Sequence, residues 1–224
     1  MNMKFKMPRQ LLAKDVLKIV SREVRAQKLR FSRTSLRELK EMALVSQAIE
    51  RSGLPKYLLC KKLNENLGWG IFLRHDAKPL KKGQVIASYA GEISLIAKHA
   101  DDDGAYAFTP LEDIHLTREE QACYDPDRTY HPKRLYCLKV DARRKGNFTR
   151  FINHSEKPNV VAYSLAVPSN PYGLIPAPVE IIYFAKKTIY PGEQLLVSYE
   201  DGEKSYWRSF GQKPFPMYPK TFTL

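Results

Sequence analysis

The chain begins with a helical rhythm of apolar positions and changes after Tyr57 to a strand rhythm. Over residues 8–30, Leu12, Val16, Ile19, Val20 and Val24 recur at helical spacing with Lys14, Lys18, Arg22 and Arg25 between them, which predicts an amphipathic helix with a basic face. Ser35 and Glu38 form a capping-box pair that announces a second helix running through Leu36, Leu39, Met42, Ala43 and Ile49, to a stop at Gly53 with Pro55 beyond. Two consecutive amphipathic helices predict a helical hairpin at the front. From Tyr57 onward the apolar residues come in short β-rich runs such as 84–89 and 181–184, separated by tight turns at Lys81-Lys82-Gly83 and Tyr190-Pro191-Gly192-Glu193. Strands and helices do not alternate, which disfavours a parallel nucleotide-binding sheet.

Charge sharpens this division. The net charge is +13 over 224 residues, but residues 1–58 carry 14 Lys/Arg against 5 Asp/Glu, whereas residues 101–127 carry nine acids and the single base Arg118. The basic front suits either a solvated face packed on the main domain or a nucleic-acid contact. The acidic island suits a strip that attracts a cationic partner. Asp101, Asp103 and Glu112 have the offsets of a calcium loop, but Tyr106 stands where that loop requires glycine. Cys60, Cys123 and Cys137 are odd in number and lack CxxC spacing, so free thiols in a reducing intracellular compartment are expected, with no metal site. No run of about 18 apolar residues occurs, and neither a secretory signal nor a membrane contact is expected.

Three segments carry candidate chemistry. Gly68-Trp69-Gly70 brackets an aromatic residue with two glycines that let backbone pass close to a ligand, but Leu73 occupies the third position of a dinucleotide fingerprint. Residues 141–155, DARRKGNFTRFINHS, followed by Pro158-Asn159, are too rich in Asn, His and Ser for an ordinary buried turn. Residues 191–199 read as a turn and a strand ending at Tyr199.

Taken in order, GWGIF at 68–72, YAGE at 89–92, YAF at 106–108, the 141–155 segment, PN at 158–159 and GEQLLVSY at 192–199 resemble the SET-domain family of protein lysine methyltransferases. The chain resembles the short, zinc-free type found in intracellular bacteria and viruses. The resemblance implies a mainly β fold with α, the SET-domain β-clip of short curved sheets with a C-terminal pseudoknot. Residues 1–58 would be a basic helical N-terminal segment, residues 59–200 the SET domain, and residues 201–224 an aromatic segment in which Tyr206, Trp207, Phe210 and Phe215 close a lysine channel.

By the same resemblance, S-adenosyl-L-methionine would be bound by Gly68, Trp69, Gly70, Tyr106, Arg150, Phe151, Asn153 and His154. Tyr199 would be the catalytic tyrosine, and Tyr89, Tyr163 and Val197 would line the substrate channel. The family departs from this chain in having Cys where Glu156 stands, Phe or Tyr at Val197 and Asp at Ser198.

The implied reaction is in-line methyl transfer to a lysine amine of a basic protein, histone or histone-like. A free lysine with pKa ≈ 10.4 is neutral in roughly one molecule per 2,500 at pH 7, so an apolar channel that lowers its pKa replaces a dedicated base. The cytoplasm or, for a protein delivered to a host, the nucleus is the expected compartment, with residues 1–58 as the expected nucleic-acid contact. The competing reading is a non-catalytic SET-like module that binds nucleoprotein.

Overall fold

The protein is described here by a computed structural model covering residues 14–27, 31–64, 68–98, 106–125, 127–167 and 179–199. The second helix forms as its chemistry dictates. Helix α2 (Leu36–Ser52) begins at Ser35, whose hydroxyl accepts the Glu38 N–H while the Glu38 carboxylate accepts the Ser35 N–H at 2.7 Å. It ends where Gly53 takes a left-handed φ of 75° and returns its N–H to the Ile49 carbonyl. Helix α1 (Lys14–Ala26) buries Val16, Ile19 and Val20, three members of the predicted stripe.

The two helices serve different sheets and share no core cluster, which corrects the expected hairpin. Helix α1 covers the sheet ordered β4 (Glu92–Ala97), β6 (Leu135–Asp141), β5 (Ala107–His115), packing on Leu111, Ile114, Tyr136 and Leu138. Helix α2 covers the sheet ordered β3 (Val85–Ser88), β9 (Val179–Ala185), β8 (Val160–Ala166), where Leu39 and Met42 meet Val85, Leu165, Ile182 and Phe184. Each sheet leaves an apolar face that must be buried, and each helix carries a single stripe, so the pairing is one helix to one sheet.

Two smaller pairings complete the frame. Strands β1 (Leu58–Asn64) and β2 (Gly68–Leu73) form an antiparallel pair. Strands β7 (Asn153–His154) and β10 (Leu196–Val197) lie parallel, bringing together the two polar segments singled out in the sequence. The main core lies between these pairs and the inner face of β9, with Ile71, Ile86, Phe148, Ile152, Tyr183 and Leu195 at its centre. Among the described residues, no helix is long and apolar enough to cross a membrane. Tyr206, Trp207, Phe210 and Phe215 lie outside the described residues.

Four acids of the island, Glu112, Asp113, Glu120 and Asp125, are engaged in internal pairs, and Asp101, Asp102 and Asp103 lie outside the described residues. A short helix, α3 (Arg118–Tyr124), is capped by Thr117 and Glu120, and the Glu120 carboxylate also takes the Arg22 guanidinium of α1 at 2.8 Å. Lys98 Nζ sits 2.6 Å from Asp113 and 3.3 Å from Glu112. Asp125 accepts the buried Tyr136 hydroxyl at 3.1 Å. These acids tie α1 and α3 to the β4–β6–β5 sheet, so a free negative strip at Glu112, Asp113 and Glu120 is not what the structure offers.

Candidate active site

Tyr199 is fixed at both ends. Its N–H donates to His154 Nδ1 at 2.9 Å, and its hydroxyl donates to the Ile152 carbonyl at 2.8 Å. The parallel β7–β10 pairing is what brings residues so distant in sequence together. It is extended by the Ser155 N–H, which donates to the Val197 carbonyl at 2.9 Å. Asn159, fully buried, acts as a clamp on the same crossing. Its N–H reaches the Leu196 carbonyl at 3.1 Å, its amide nitrogen the Gln194 carbonyl at 2.9 Å, and its amide oxygen accepts the Leu196 N–H at 2.9 Å. His154 was expected at the cofactor; the structure adds that its ring positions the tyrosine backbone.

Asn153 links this crossing to the glycine strand. Its amide nitrogen donates to the Trp69 carbonyl at 2.9 Å, so GWG and NHS, separated in sequence by more than eighty residues, meet as expected. The two glycines have different reasons to be there. Gly68 adopts φ 62°, a conformation that disfavours a side chain. At Gly70 an added Cβ would stand 2.8 Å from Gln194 Nε2 and 3.1 Å from Leu63, so the strand must be bare to lie this close.

Arg150 and Phe151 close the neighbouring wall. One guanidinium nitrogen of Arg150 donates to the Ala142 carbonyl at 3.0 Å, and the group lies 4.7 Å from the Phe151 ring centroid. The segment is held by Asn147, which caps the 3₁₀ turn Phe148–Phe151 through the Thr149 N–H and donates to the Ser88 carbonyl at 2.7 Å. Arg150 Nε and Gln194 Nε2 are buried without a hydrogen-bond partner among the described residues. Buried donors left in this way cost about 1–3 kcal/mol each unless a ligand accepts from them.

An aromatic wall stands beside Tyr199. Tyr89 tilts against Phe108 at 4.7 Å between ring centroids and lies 6.1 Å from Tyr183, and its hydroxyl donates to the Tyr106 carbonyl at 2.7 Å. Burial pushes the Tyr89 phenol well above its usual range, with the Asp141 carboxylate adding to the rise. Burial also raises Tyr183, with smaller contributions from nearby Tyr199 and Tyr89. Both phenols are therefore hydrogen-bonding groups rather than phenolates at neutral pH. Val197 is buried in the same core. Tyr106 is placed by a left-handed φ of 60° with its side chain 54% exposed, and it is the Tyr106 carbonyl that bonds Tyr89.

Tyr163 does not join this wall. It pairs with Ile182 across β8 and β9, and its ring lies 6.2 Å from Phe184, so it shares the sheet face that α2 covers and is 54% exposed. Side chains alternate along a strand, so Tyr163 lies on the opposite face of the sheet from Tyr183 and the rings beside Tyr199. Tyr183, one residue on from Ile182, faces the site in its place and was not singled out from sequence. Its one available signal was a tyrosine within the otherwise apolar run 181–184. Phe108, Asn147, Asn159 and Gln194 were quoted in motifs without a role, because their contacts lie far away along the chain.

Cys60, Cys123 and Cys137 are free thiols, and burial pushes Cys60 up to about 11 despite the nearby Arg150 charge.

Comparison with known proteins gives this geometry its family. The chain is 31% identical over 147 residues to the Nicotiana tabacum histone-lysine N-methyltransferase, H3 lysine-9 specific SUVH1, covering 66% of this chain and 19% of that one. It is 29% identical over 166 residues to Xenopus laevis histone-lysine N-methyltransferase SUV39H1, covering 71% and 34%, and 30% identical to Rattus norvegicus histone-lysine N-methyltransferase SETMAR, covering 67% and 42%. The chain thus spans less than half the length of each of these relatives. The structure of the ATXR5 SET domain in complex with histone H3 di-methylated on R26 has the same fold, with a TM-score of 0.51 at 18% identity over 78% of this chain and 72% of that one. Residues 68–200 match the SET domain, and with more than half the chain inside that match, the protein belongs to the SET-domain family.

Proposed function

We propose that this protein is a lysine methyltransferase that uses S-adenosyl-L-methionine and acts on a basic protein, histone or histone-like. The observation that carries the reading is the placement of Tyr199: its N–H is held by His154 Nδ1 and its hydroxyl donates to the Ile152 carbonyl, which fixes the phenol beside the Tyr89–Phe108–Tyr183 wall, where an inserted amine would meet it. A wall of rings excludes water and favours the neutral form of an inserted lysine amine. Fixing Tyr199 through His154 Nδ1 and Ile152 aligns that amine before reaction, which is where most of the rate of an in-line displacement is gained.

The residues present suit the cofactor. S-adenosyl-L-methionine supplies a methyl group activated on a sulfonium and carries a carboxylate, ribose oxygens and an adenine, all rich in acceptors. Gln194 Nε2 beside Gly70 and Arg150 Nε are buried donors in want of acceptors, next to the bare backbone of Gly68–Gly70. Gly68, Trp69, Gly70, Tyr106, Arg150, Phe151, Asn153 and His154 are the residues that would hold it.

The likeness to histone-lysine methyltransferases supports a histone-like substrate. Three free thiols agree with a reducing compartment, the cytoplasm or a host nucleus. The nucleic-acid contact expected of residues 1–58 draws less support, since Arg22 is tied to Glu120 and Arg37 to Glu41.

The test is mass spectrometry of mixed histones and basic bacterial proteins incubated with the full chain and S-adenosyl-L-methionine. Methyl-sized increments confined to lysines are expected, and Tyr199→Phe should lower the rate by ~10²–10⁴-fold while calorimetric cofactor affinity is retained. Near-normal turnover in that variant would remove Tyr199 from the mechanism. Cofactor binding without transfer to any protein would leave the nucleoprotein-binding module as the better account.

A further inference from the structure

We propose that the loop end of the β3–β9–β8 sheet is a docking surface for duplex nucleic acid, gripped through its phosphates. Three loops converge there on a rigid frame. Gly83 N–H donates to the Ala185 carbonyl at 2.8 Å, Ala185 N–H to Gln84 at 3.0 Å, and Lys186 N–H to the Asn159 carbonyl at 2.8 Å. Leu80 and Ile189 exchange backbone bonds at 3.0 and 2.9 Å just beyond.

This convergence places Lys78, Lys81, Lys82, Lys186 and Lys187 together on exposed positions, and none of them forms an ion pair among the described residues. The neighbouring acids do little to offset them. Asp76 is engaged by Arg74 at 2.9 and 3.0 Å, Glu193 accepts the Tyr190 N–H at 2.7 Å, and Glu41 faces Arg37 and the Val85 N–H. Among the described residues the exposed acids adjoining the group are Asp76, held by Arg74, and Glu156, with Lys157 beside it in sequence. Arg22, Arg37, Lys98 and Arg128, by contrast, sit within 4 Å of carboxylates, and Arg33, Arg51, Lys56 and Lys133, exposed like the patch lysines, are scattered over separate segments.

The chemistry of the patch selects its partner. Lysines are depleted from protein–protein interfaces, where Arg and buried aromatic anchors carry the energy. They act well as point charges on phosphates, which a duplex presents at one per ≈ 1.7 Å of axis. A basic protein substrate would be repelled here. The location also matters: Asn159, which receives Lys186, clamps Leu196 three residues before Tyr199, so a duplex on this end lies beside the segment carrying the proposed catalytic group. The inference stands whether or not the chain transfers methyl groups.

The experiment is fluorescence anisotropy of a short labelled DNA duplex of arbitrary sequence titrated with the full chain over a salt series. The variant Lys81→Glu/Lys82→Glu/Lys186→Glu/Lys187→Glu should bind at least ~10²-fold more weakly at low salt, with the slope of log affinity against log salt reduced by roughly 3–4. A control with the same charge change at the exposed residues Arg33, Arg51, Lys56 and Lys133 should lose less than about fivefold. Should the glutamate variant fold poorly by circular dichroism, the four-fold Lys→Gln version must give the same slope change. Equal losses in patch and control variants would reduce the effect to net charge and overturn the proposal, as would no loss in either. Displacement of the duplex by polyglutamate at equal charge concentration would also overturn it, in favour of an acidic protein.

Discussion

The two faces of β9 are equally buried and do different work. All seven residues from Val179 to Ala185 are buried, so nothing in the burial of the strand marks which side carries chemistry. One face presents Ile182 and Phe184 to Leu39 and Met42 of α2, a contact without polar atoms closed by a regular helix. The other presents Tyr183 to Tyr89, Phe108 and Tyr199, closed by the two-residue pairing of β7 and β10 and by loops. On that face every hydroxyl taken from water needs a partner: Tyr89 finds the Tyr106 carbonyl and Tyr199 the Ile152 carbonyl. The lesson is that the site is distinguished by its backbone carbonyls. Irregular segments leave carbonyls available to side chains, whereas a helix has already used its own.

Single substitutions on adjacent residues of β9 test this division. Ile182→Ala, on the helix face, should cost about 2–5 kcal/mol in unfolding free energy by denaturant melt, with methyl transfer per folded molecule unchanged. A fall in kcat beyond the loss of folded protein would show that the two faces are coupled. Tyr183→Phe should do the reverse, leaving stability nearly unaltered and lowering kcat by roughly tenfold, about 1.4 kcal/mol of transition-state stabilisation. Tyr163→Phe, the tyrosine of opposite parity, should stay within about twofold, as for an exposed position away from the site. If Tyr163 proved the more damaging of the two, the assignment of faces would be wrong.

What could be read from the sequence was whatever is settled by near neighbours. Ser35, Glu38 and Gly53 give both ends of α2 because a capping box and a left-handed stop are completed within a few residues. The turns at Gly83 and Gly192 were legible for the same reason, and both adopt positive φ. The order of family motifs placed Asn153, His154 and Tyr199 correctly as neighbours, although it could not say that His154 would hold the Tyr199 backbone. What escaped depends on pairing between distant segments. Tyr163 and Tyr183 stand on opposite sheet faces through strand parity, which is fixed only once β8 and β9 are in register. Asn159 was read in a polar loop and Gln194 in a turn and strand, and the bond between them joins positions thirty-five apart. The acids of residues 112–125 looked like a free surface until Arg22 and Lys98 were seen to meet them.

The smallest effect is silent at neutral pH and appears only in alkali. Tyr57, Tyr89 and Tyr183 are all raised by burial, Tyr57 to about 12, because a phenolate would lose hydration that the surrounding core cannot replace. In the unfolded chain the same phenols ionise near ~10. Above that pH the unfolded state has released protons that the folded state still holds, so unfolding is favoured as pH rises. The contribution is whole below about pH 10 and is lost as pH climbs through 10 toward 12 and beyond. Urea midpoints followed alongside tyrosinate absorbance should therefore show no dependence on these groups near neutrality and a fall that begins just above ~10. Tyr183→Phe removes one proton from the balance on the site face and should make that fall shallower. Ile182→Ala should lower the whole curve without changing its slope, since it has no proton to lose. Parallel slopes in all three proteins would mean that the Tyr183 phenol is not desolvated, and the inner face of β9 would then be wetter than a lysine channel requires.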